Sequence, residues 1–216
     1  MKQKLLLTSQ GIPKELAKTF VSLLTKPPEM TKVLFVTTAA YGDYDNPTWL
    51  GVYRKQLRGY GIREIEDLDI KGKSKTELEE VVKDEDILFV NGGNTFYLLK
   101  CIRETGFDKI IKDFISSGRL YIGISAGSYI MCPTIEQSTW KHQDKNRLGL
   151  IDLTGLNLVP FLVTAHFKEN YRLIIEKAAK TTNYPVIALN DTQAVLVEGK
   201  KWRIVGKGKK IIFNTS

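Results

Sequence analysis

The segment RLYIGISAG spans residues 119–127 and places G-x-S-x-G directly after an apolar, strand-like run. A helical pattern over Ala126–Cys132 follows at once. Strand, tight turn and helix form the context in which G-x-S-x-G holds a nucleophilic serine. Such a turn lifts the Ser125 hydroxyl above the strand end and aims the next amide at a developing oxyanion. The segment therefore predicts a nucleophile at Ser125; the alternative is a glycine-rich turn that only joins a strand to a helix.

The alternation of strand and helix extends outward from this segment. Short apolar runs rich in β-branched residues predict strands, and apolar residues spaced three and four apart predict helices. The predicted strands are Lys4–Thr8, Lys32–Thr38, Ile62–Ile70, Asp86–Asn91 and Arg119–Ile124, and the predicted helices between them are Pro13–Lys26, Pro47–Tyr60, Lys75–Lys83, Thr95–Glu104 and Phe107–Ser117. We expect a three-layer α/β fold, in which a mostly parallel sheet lies between helices on both faces.

The pattern changes after about residue 150. A strand-like run over Asn157–Thr164 and a helical run over Glu169–Lys180 precede four short strand-like runs. These four runs are Val186–Leu189, Ala194–Glu198, Trp202–Gly206 and Lys210–Phe213. They predict a short antiparallel extension at the C-terminal end. Because no repeat or Pro/Ser-rich linker divides the chain, we expect a single domain over residues 1–216. The loops Tyr41–Asn46 and Gln137–Leu148 are long and polar enough to line a site.

A serine nucleophile needs a base, and the sequence contains two histidines. His142 lies in the polar run TWKHQDKN, whereas His166 ends the apolar run LNLVPFLVTAH. Open α/β sheets bind their ligands at the carboxyl ends of the strands. We therefore favour His166 as the base; the alternative is a structural histidine beside Phe167.

The carboxylate that would orient the histidine has several candidates. Asp191 follows a predicted strand, whereas Asp144, Asp152 and Glu136 lie between the serine and the histidine. The chain order Ser, Asp, His of the α/β hydrolases would select Asp144 or Asp152. Asp191 gives the order Ser, His, Asp instead. Both orders remain open on the residue pattern alone.

A second glycine-rich turn, NGGNT at residues 91–95, also joins a predicted strand to a predicted helix. Backbone amides at such a turn suit either a phosphate or a transient oxyanion. The turn lacks the Lys-Ser/Thr of a P-loop and the GxGxxG of a dinucleotide site, which disfavours phosphate. The Gly93 amide is therefore a candidate second donor of an oxyanion hole, beside the Ala126 amide.

Four motifs follow one another along the chain: NGGNTFYLL, GISAGSYIMCPTI, LNLVPFLVTAHF and ALNDTQAVLVEG. Together they resemble peptidase family S51, which includes dipeptidase E and its cyanophycinase relatives, and the resemblance covers about residues 33–199. It implies a flavodoxin-like fold of the class I glutamine amidotransferase type, with serine in place of the amidotransferase cysteine. Position by position, it implies Ser125 as the nucleophile, His166 as the base, and Gly93 and Ala126 as the oxyanion amides.

The sequence departs from this family pattern in two places. Asp191 stands where the family has a glutamate; we take it as the acid, with Asp144 second, because Asp144 matches a family aspartate only across an insertion. Aspartyl dipeptidases carry a long loop after the histidine, with an arginine for the substrate's aspartate. Here HFKENYRL passes directly into a helix. Arg172 is the nearest candidate for binding substrate; the alternative is that it is an ordinary surface arginine. The resemblance therefore does not imply specificity for an N-terminal aspartate.

Composition limits the remaining classes of function. Hydrophobic residues make up 43% of the 216 residues and charged residues 26%, as in soluble folded proteins. The N-terminal apolar run is too short for a secretory signal, and no run is long enough to span a bilayer, so we expect a cytoplasmic protein without membrane association. Isolated Cys101 and Cys132 predict buried free thiols. No metal site and no cofactor are expected.

The net charge of +8 raises the alternative of a nucleic-acid partner. Basic residues cluster only at Lys200–Lys201 and Lys207–Lys210, without a known nucleic-acid-binding motif, so no such partner is expected. The leading hypothesis is an S51-type serine peptidase that acts on small peptides as a monomer or homodimer. The alternatives are a non-catalytic domain that binds a peptide or small molecule, and an esterase, because an elbow and triad do not select amide over ester.

Overall fold

A computed structural model describes residues 3–141 and 144–214 of the chain. The strands are β1 (Lys4–Thr8), β2 (Lys32–Val36), β3 (Glu64–Leu68), β4 (Ile87–Val90), β5 (Leu120–Ile124), β6 (Leu162–Thr164), β7 (Val186–Ala188), β8 (Gln193–Glu198), β9 (Lys201–Gly206) and β10 (Ile211–Phe213). The α-helices are α1 (Ala17–Leu23), α2 (Trp49–Gly59), α3 (Lys75–Val82), α4 (Thr95–Thr105), α5 (Phe107–Ser116), α6 (Ala126–Tyr129) and α7 (Arg172–Ala179).

Seven strands form the main sheet in the order β3-β2-β4-β5-β1-β8-β9. The first five are parallel, and β8 and β9 extend the sheet by antiparallel pairing beside β1. Alternate residues of each central strand point to opposite faces, so Val33 and Phe35 pack on one side of β2 while Leu34 and Val36 pack on the other. The predicted three-layer α/β fold with an antiparallel C-terminal extension is confirmed.

Helices bury both faces of the sheet. Apolar residues of α1 and α2, such as Phe20 and Leu57, pack on one face, whereas α3, α4, α5 and α6 cover the other. Cys101 and Cys132 are both free and buried, as the sequence predicts. None of the helices within residues 3–141 and 144–214 combines the length and apolar character needed to cross a membrane.

Three of the later strands leave the main sheet. β7 pairs in parallel with β6 and antiparallel with β10, which makes a separate three-stranded sheet. The prediction that all four short C-terminal runs form one antiparallel extension is therefore wrong for β7 and β10. The reason is that β8 pairs along the whole length of β1 and occupies the sheet edge that β7 would need.

The strand-like run Asn157–Thr164 is also largely irregular. Only β6, its last part, is a strand, because the amides of residues 156–158 donate to carbonyls of residues 130–132 after α6. Pro160 has no amide hydrogen to contribute to a ladder. Helix α6 ends at Tyr129 instead of the predicted Cys132, because Met131 and Cys132 bond to carbonyls three residues back before Pro133.

Candidate active site

Ser125 follows β5 in a strained conformation, with φ of 47° and ψ of −104°. Its amide donates to the Thr8 carbonyl at 3.0 Å, which fixes the turn against β1. A Cβ at Gly123 would lie 2.4 Å from the Gly127 carbonyl oxygen, and a Cβ at Gly127 would lie 2.2 Å from that of Val90. Both glycines of G-x-S-x-G are therefore required by close backbone contacts, and the turn has the geometry of a nucleophile elbow.

His166 follows β6 and also has a positive φ, 55°. Its Nδ1 lies 2.6 Å from Asp191 Oδ1, and Asp191 follows β7, the parallel neighbour of β6. The strand ends thus bring together His166 and Asp191, two residues that the sequence places 25 positions apart. The other histidine, His142, lies outside the described residues.

Ser9 is a member of this group that the sequence analysis missed. Its hydroxyl donates to Asp191 Oδ1 at 2.8 Å and accepts from the His166 amide at 2.7 Å. Partial burial opposes ionisation of Asp191, but the hydrogen bond and charge of His166 and the Ser9 hydroxyl outweigh it and lower the pKa of Asp191. Ser9 immediately follows β1, so its position at the carboxyl end of a strand is a signal that could have identified it.

Asp144 is not in contact with His166. Its carboxylate instead accepts from the Thr95 hydroxyl and, at 2.9 Å, from the Thr95 amide at the start of α4. Burial raises the pKa of Asp144, against the effect of these two hydrogen bonds. Asp152 forms an exposed ion pair with Arg103 at 3.0 Å. Of the carboxylates weighed from the sequence for which contacts are described, Asp191 is the one that reaches His166.

The NGGNT turn after β4 lies beside the elbow. Gly93 has φ of 144°, and a Cβ there would lie 2.1 Å from the Ala39 carbonyl oxygen, so only glycine fits. Asn94 caps α4 by accepting from the Tyr97 amide at 2.9 Å. Among the described residues, neither the Gly93 amide nor the Ala126 amide has a hydrogen-bond acceptor. Two donors of the kind an oxyanion hole requires are therefore unused.

An open cavity of about 380 Å³ lies over these groups. Its walls include Ser125, His166 and both glycines of the NGGNT turn, with Gln10 and Ile124. The cavity is also lined by Asp43, Tyr44, Trp49, Tyr53 and Asp144. Residues from the two loops expected to line a site, Tyr41–Asn46 and Gln137–Leu148, are thus in its wall. No direct hydrogen bond joins Ser125 to His166 among the contacts of the described residues.

The family of the chain follows from comparison with known proteins. Residues 5–205 match the description "Peptidase family S51". The chain belongs to peptidase family S51. This S51 protein is 35% identical to an uncharacterized peptidase of Listeria monocytogenes over 154 residues, 68% of this chain and 73% of that relative. It is 42% identical over 88 residues to peptidase E of a Nostoc species, covering 41% of this chain and 35% of the relative.

Solved structures agree with this family membership. A crystal structure from Listeria monocytogenes, described as a candidate peptidase E, matches this S51 chain with a TM-score of 0.82 and 28% identity over 96% of the chain and all of that structure. A peptidase from an acI-B1 Actinobacterium shares the fold, with a TM-score of 0.72 and 22% identity over 99% of this chain and 92% of that one. The protein is therefore a peptidase, serine-type by family.

Arg172 lies apart from the cavity of this S51 peptidase. It forms an ion pair with Glu169 and stacks over the rings of Phe167 and Phe213, at 5.6 and 5.9 Å from their centroids. It is not among the cavity-lining residues. The described lining contains two carboxylates and no lysine or arginine. Among residues 3–141 and 144–214, no group of three or more His, Cys, Asp and Glu side chains is arranged to hold a metal ion.

Proposed function

We propose that this S51 peptidase hydrolyses small peptides through Ser125, His166 and Asp191. The observation that carries the proposal is the 2.6 Å contact between His166 Nδ1 and Asp191 Oδ1 above the cavity that Ser125 lines. An Nδ1–H that donates to Asp191 leaves Nε2 as the proton acceptor of the ring. The lowered pKa of Asp191 keeps its carboxylate ionised and able to stabilise an imidazolium.

In the proposed reaction, Ser125 Oγ attacks the peptide carbonyl carbon while its proton passes to His166 Nε2. The developing oxyanion accepts hydrogen bonds from the Gly93 and Ala126 amides, each worth about 3 kcal/mol in the transition state. The imidazolium then protonates the leaving amine, and a water molecule repeats the sequence to release the acid. A catalytic Ser–His hydrogen bond often forms only when substrate binds, which fits the absence of a direct bond here.

We further propose that the substrates are not restricted to an N-terminal aspartate. Asp43 and Asp144 are the charged residues of the described cavity wall, and Arg172 is engaged by Glu169 elsewhere. These carboxylates disfavour an acidic side chain, although Arg147, 3.4 Å from Asp43, offsets part of their charge. The three aromatic side chains in the wall offer apolar surface to an N-terminal residue instead.

A fluorophosphonate probe tests the catalytic assignment, because it forms a covalent adduct with an activated serine. We expect labelling of Ser125 in the wild type, and hydrolysis of at least one member of the panel Ala-Leu, Phe-Leu, Lys-Leu and Asp-Leu. Ser125→Ala should abolish both, whereas Ser116→Ala, an exposed serine at the end of α5, should change neither. Folded wild-type protein that is not labelled, or Ser125→Ala protein that still is, would overturn the proposal.

A further inference from the structure

Three side chains hydrogen-bond the backbone of Ala165 and His166. The Ala165 amide donates to the Tyr129 hydroxyl at 2.9 Å, and the His166 amide donates to Ser9 Oγ at 2.7 Å. The Ala165 carbonyl accepts a hydrogen bond from Lys141 Nζ. No ladder or helix supplies these partners, because β6 ends at Thr164. The backbone that carries His166 is therefore placed by three side chains from different parts of the chain.

His166 needs such support because its conformation is unfavourable. A non-glycine residue at positive φ costs about 1–3 kcal/mol and persists only where its surroundings over-determine it. The φ of His166 is 55°. Loss of the Lys141 contact would remove one of the three supports of this conformation and let the ring shift relative to Asp191 and the cavity. The contact between Lys141 and the Ala165 carbonyl therefore helps to set the position of the His166 ring.

Lys141 makes that contact from a buried position that lysine rarely occupies. Only 7% of the residue is exposed, and the hydrogen bond described for its ammonium is to a backbone carbonyl, not to a carboxylate. Two carboxylates face Lys141, Asp144 on its own loop and Asp191 after β7. The ring of Tyr171, before α7, lies 5.9 Å away, and Tyr129 of α6 bonds to the same residue, Ala165. Burial lowers the pKa of Lys141 to about 8, although both carboxylates oppose the shift.

We propose that Lys141 is a positioning residue for the peptidase reaction: its buried ammonium holds the Ala165 carbonyl and thereby fixes the orientation of His166. The inference rests on the proposed function, because it assigns a purpose to the His166 position. Nothing in the sequence marks Lys141, which sits in a polar loop among other charged residues. Its role emerges only from the contact with Ala165.

The test compares Lys141→Met, which keeps the apolar stem but removes the donor and the charge, with Lys145→Met, the same change at an exposed position of the same loop. Rates are measured on the panel dipeptide that the wild type cleaves fastest and are expressed per mole of folded protein. We expect Lys141→Met to lower kcat about 100-fold with KM changed less than about threefold, since a misplaced catalytic group loses rate and not ground-state binding. Lys145→Met should match the wild type.

A pH profile separates positioning from a merely structural role. Wild-type kcat should fall as pH rises through about 8, where Lys141 loses its charge and its hydrogen bond weakens. Lys141→Arg keeps a cationic donor that does not deprotonate in this range, so its kcat should stay within about fivefold of the wild type and lose this fall. If Lys141→Met does not fold, the wild-type and Lys141→Arg profiles decide the question.

Two results would overturn the inference: kcat of Lys141→Met within about twofold of the wild type, or wild-type kcat unchanged from pH 7 to pH 9.5. Both are read in a wild type that cleaves peptides and is labelled at Ser125. They therefore differ from a failure of the proposed function, in which the wild type itself shows neither property.

Discussion

The amino edge of the main sheet buries one ionisable side chain. The carboxyl edge, where β5 of the main sheet and β6 and β7 of the smaller sheet end at the candidate site, buries another, and the two differ in what they contact. Glu85 precedes β4 at the amino edge and is 8% exposed; Lys141 contacts Ala165, after the end of β6, and is 7% exposed. Burial and the charge of Glu66 raise the pKa of Glu85 to about 7. Glu85 Oε2 has no hydrogen-bond partner among the described residues, whereas Lys141 Nζ bonds to the carbonyl before His166.

This difference indicates that the two buried charges have different effects on the protein. A buried charge without a partner lowers the stability of the folded state, and at the amino edge Glu85 supports no other group of the site. At the carboxyl edge, the same kind of burial supports a strained histidine beside the proposed nucleophile. Changes to the charged groups at the carboxyl edge should therefore act mainly on the rate of peptide hydrolysis, and changes to the buried charge at the amino edge only on stability.

Asp191→Asn should give the largest effect of this kind. The asparagine keeps the shape of the side chain, but it favours the wrong His166 tautomer and cannot stabilise the imidazolium, so we expect kcat to fall about 10⁴-fold. Steady-state kinetics on the best panel dipeptide measure this, with thermal unfolding as a check that the fold is retained. Asp144→Asn is the matched comparison, because Asp144 lines the cavity without touching His166. A larger loss of kcat in Asp144→Asn would reverse the assignment of the acid.

The carboxyl edge also shows how far the sequence alone could lead. The G-x-S-x-G segment predicts the elbow because its chemistry is local: the two glycines, the strand before and the helix after are contiguous. His166 and Asp191 could be selected by the rule that strand ends converge on one edge. Ser9 obeys the same rule, and the strand order, which places β1 directly beside β5, accounts for its position at the same site.

Other parts of the site could not be predicted, because they depend on contacts between distant segments. Lys141 lies in a polar loop without periodicity, and only the packed structure brings it to Ala165, 24 residues away. Nearness to His166 along the chain favours Arg172, yet in the structure Arg172 contacts Glu169 and two aromatic rings. Short apolar runs do not specify their partner strands, so the sequence does not predict the separate sheet of β6, β7 and β10.

The two ends of β5 offer a second comparison, with a smaller effect. Gly127→Ala, beyond the carboxyl end, would place a Cβ 2.2 Å from the Val90 carbonyl oxygen, so backbone must move and we expect a loss of about 3 kcal/mol in the free energy of unfolding. Gly118→Ala, before the amino end, meets no atom within 4 Å but keeps a φ of 87°, which costs about 1 kcal/mol. Urea unfolding of the two variants measures the difference. Equal losses would show that the elbow is not more tightly packed than the opposite end of the strand.

Glu85→Gln should give the smallest effect, and one confined to stability. The folded-state pKa of about 7 lies above the ordinary 4.5, so the folded state binds more protons than the unfolded state between these values. Stability therefore falls as pH rises from 4.5 through 7, and the full loss is present at pH 8. The glutamine has no charge to bury, although its amide must still find a hydrogen bond, so we expect a gain of about 2 kcal/mol at pH 8 and none at pH 4.

Urea unfolding at both pH values measures the gain, and kcat should remain that of the wild type. A gain that is independent of pH would mean that Glu85 does not titrate as its burial requires, and a change in kcat would mean that the amino edge is coupled to the site after all.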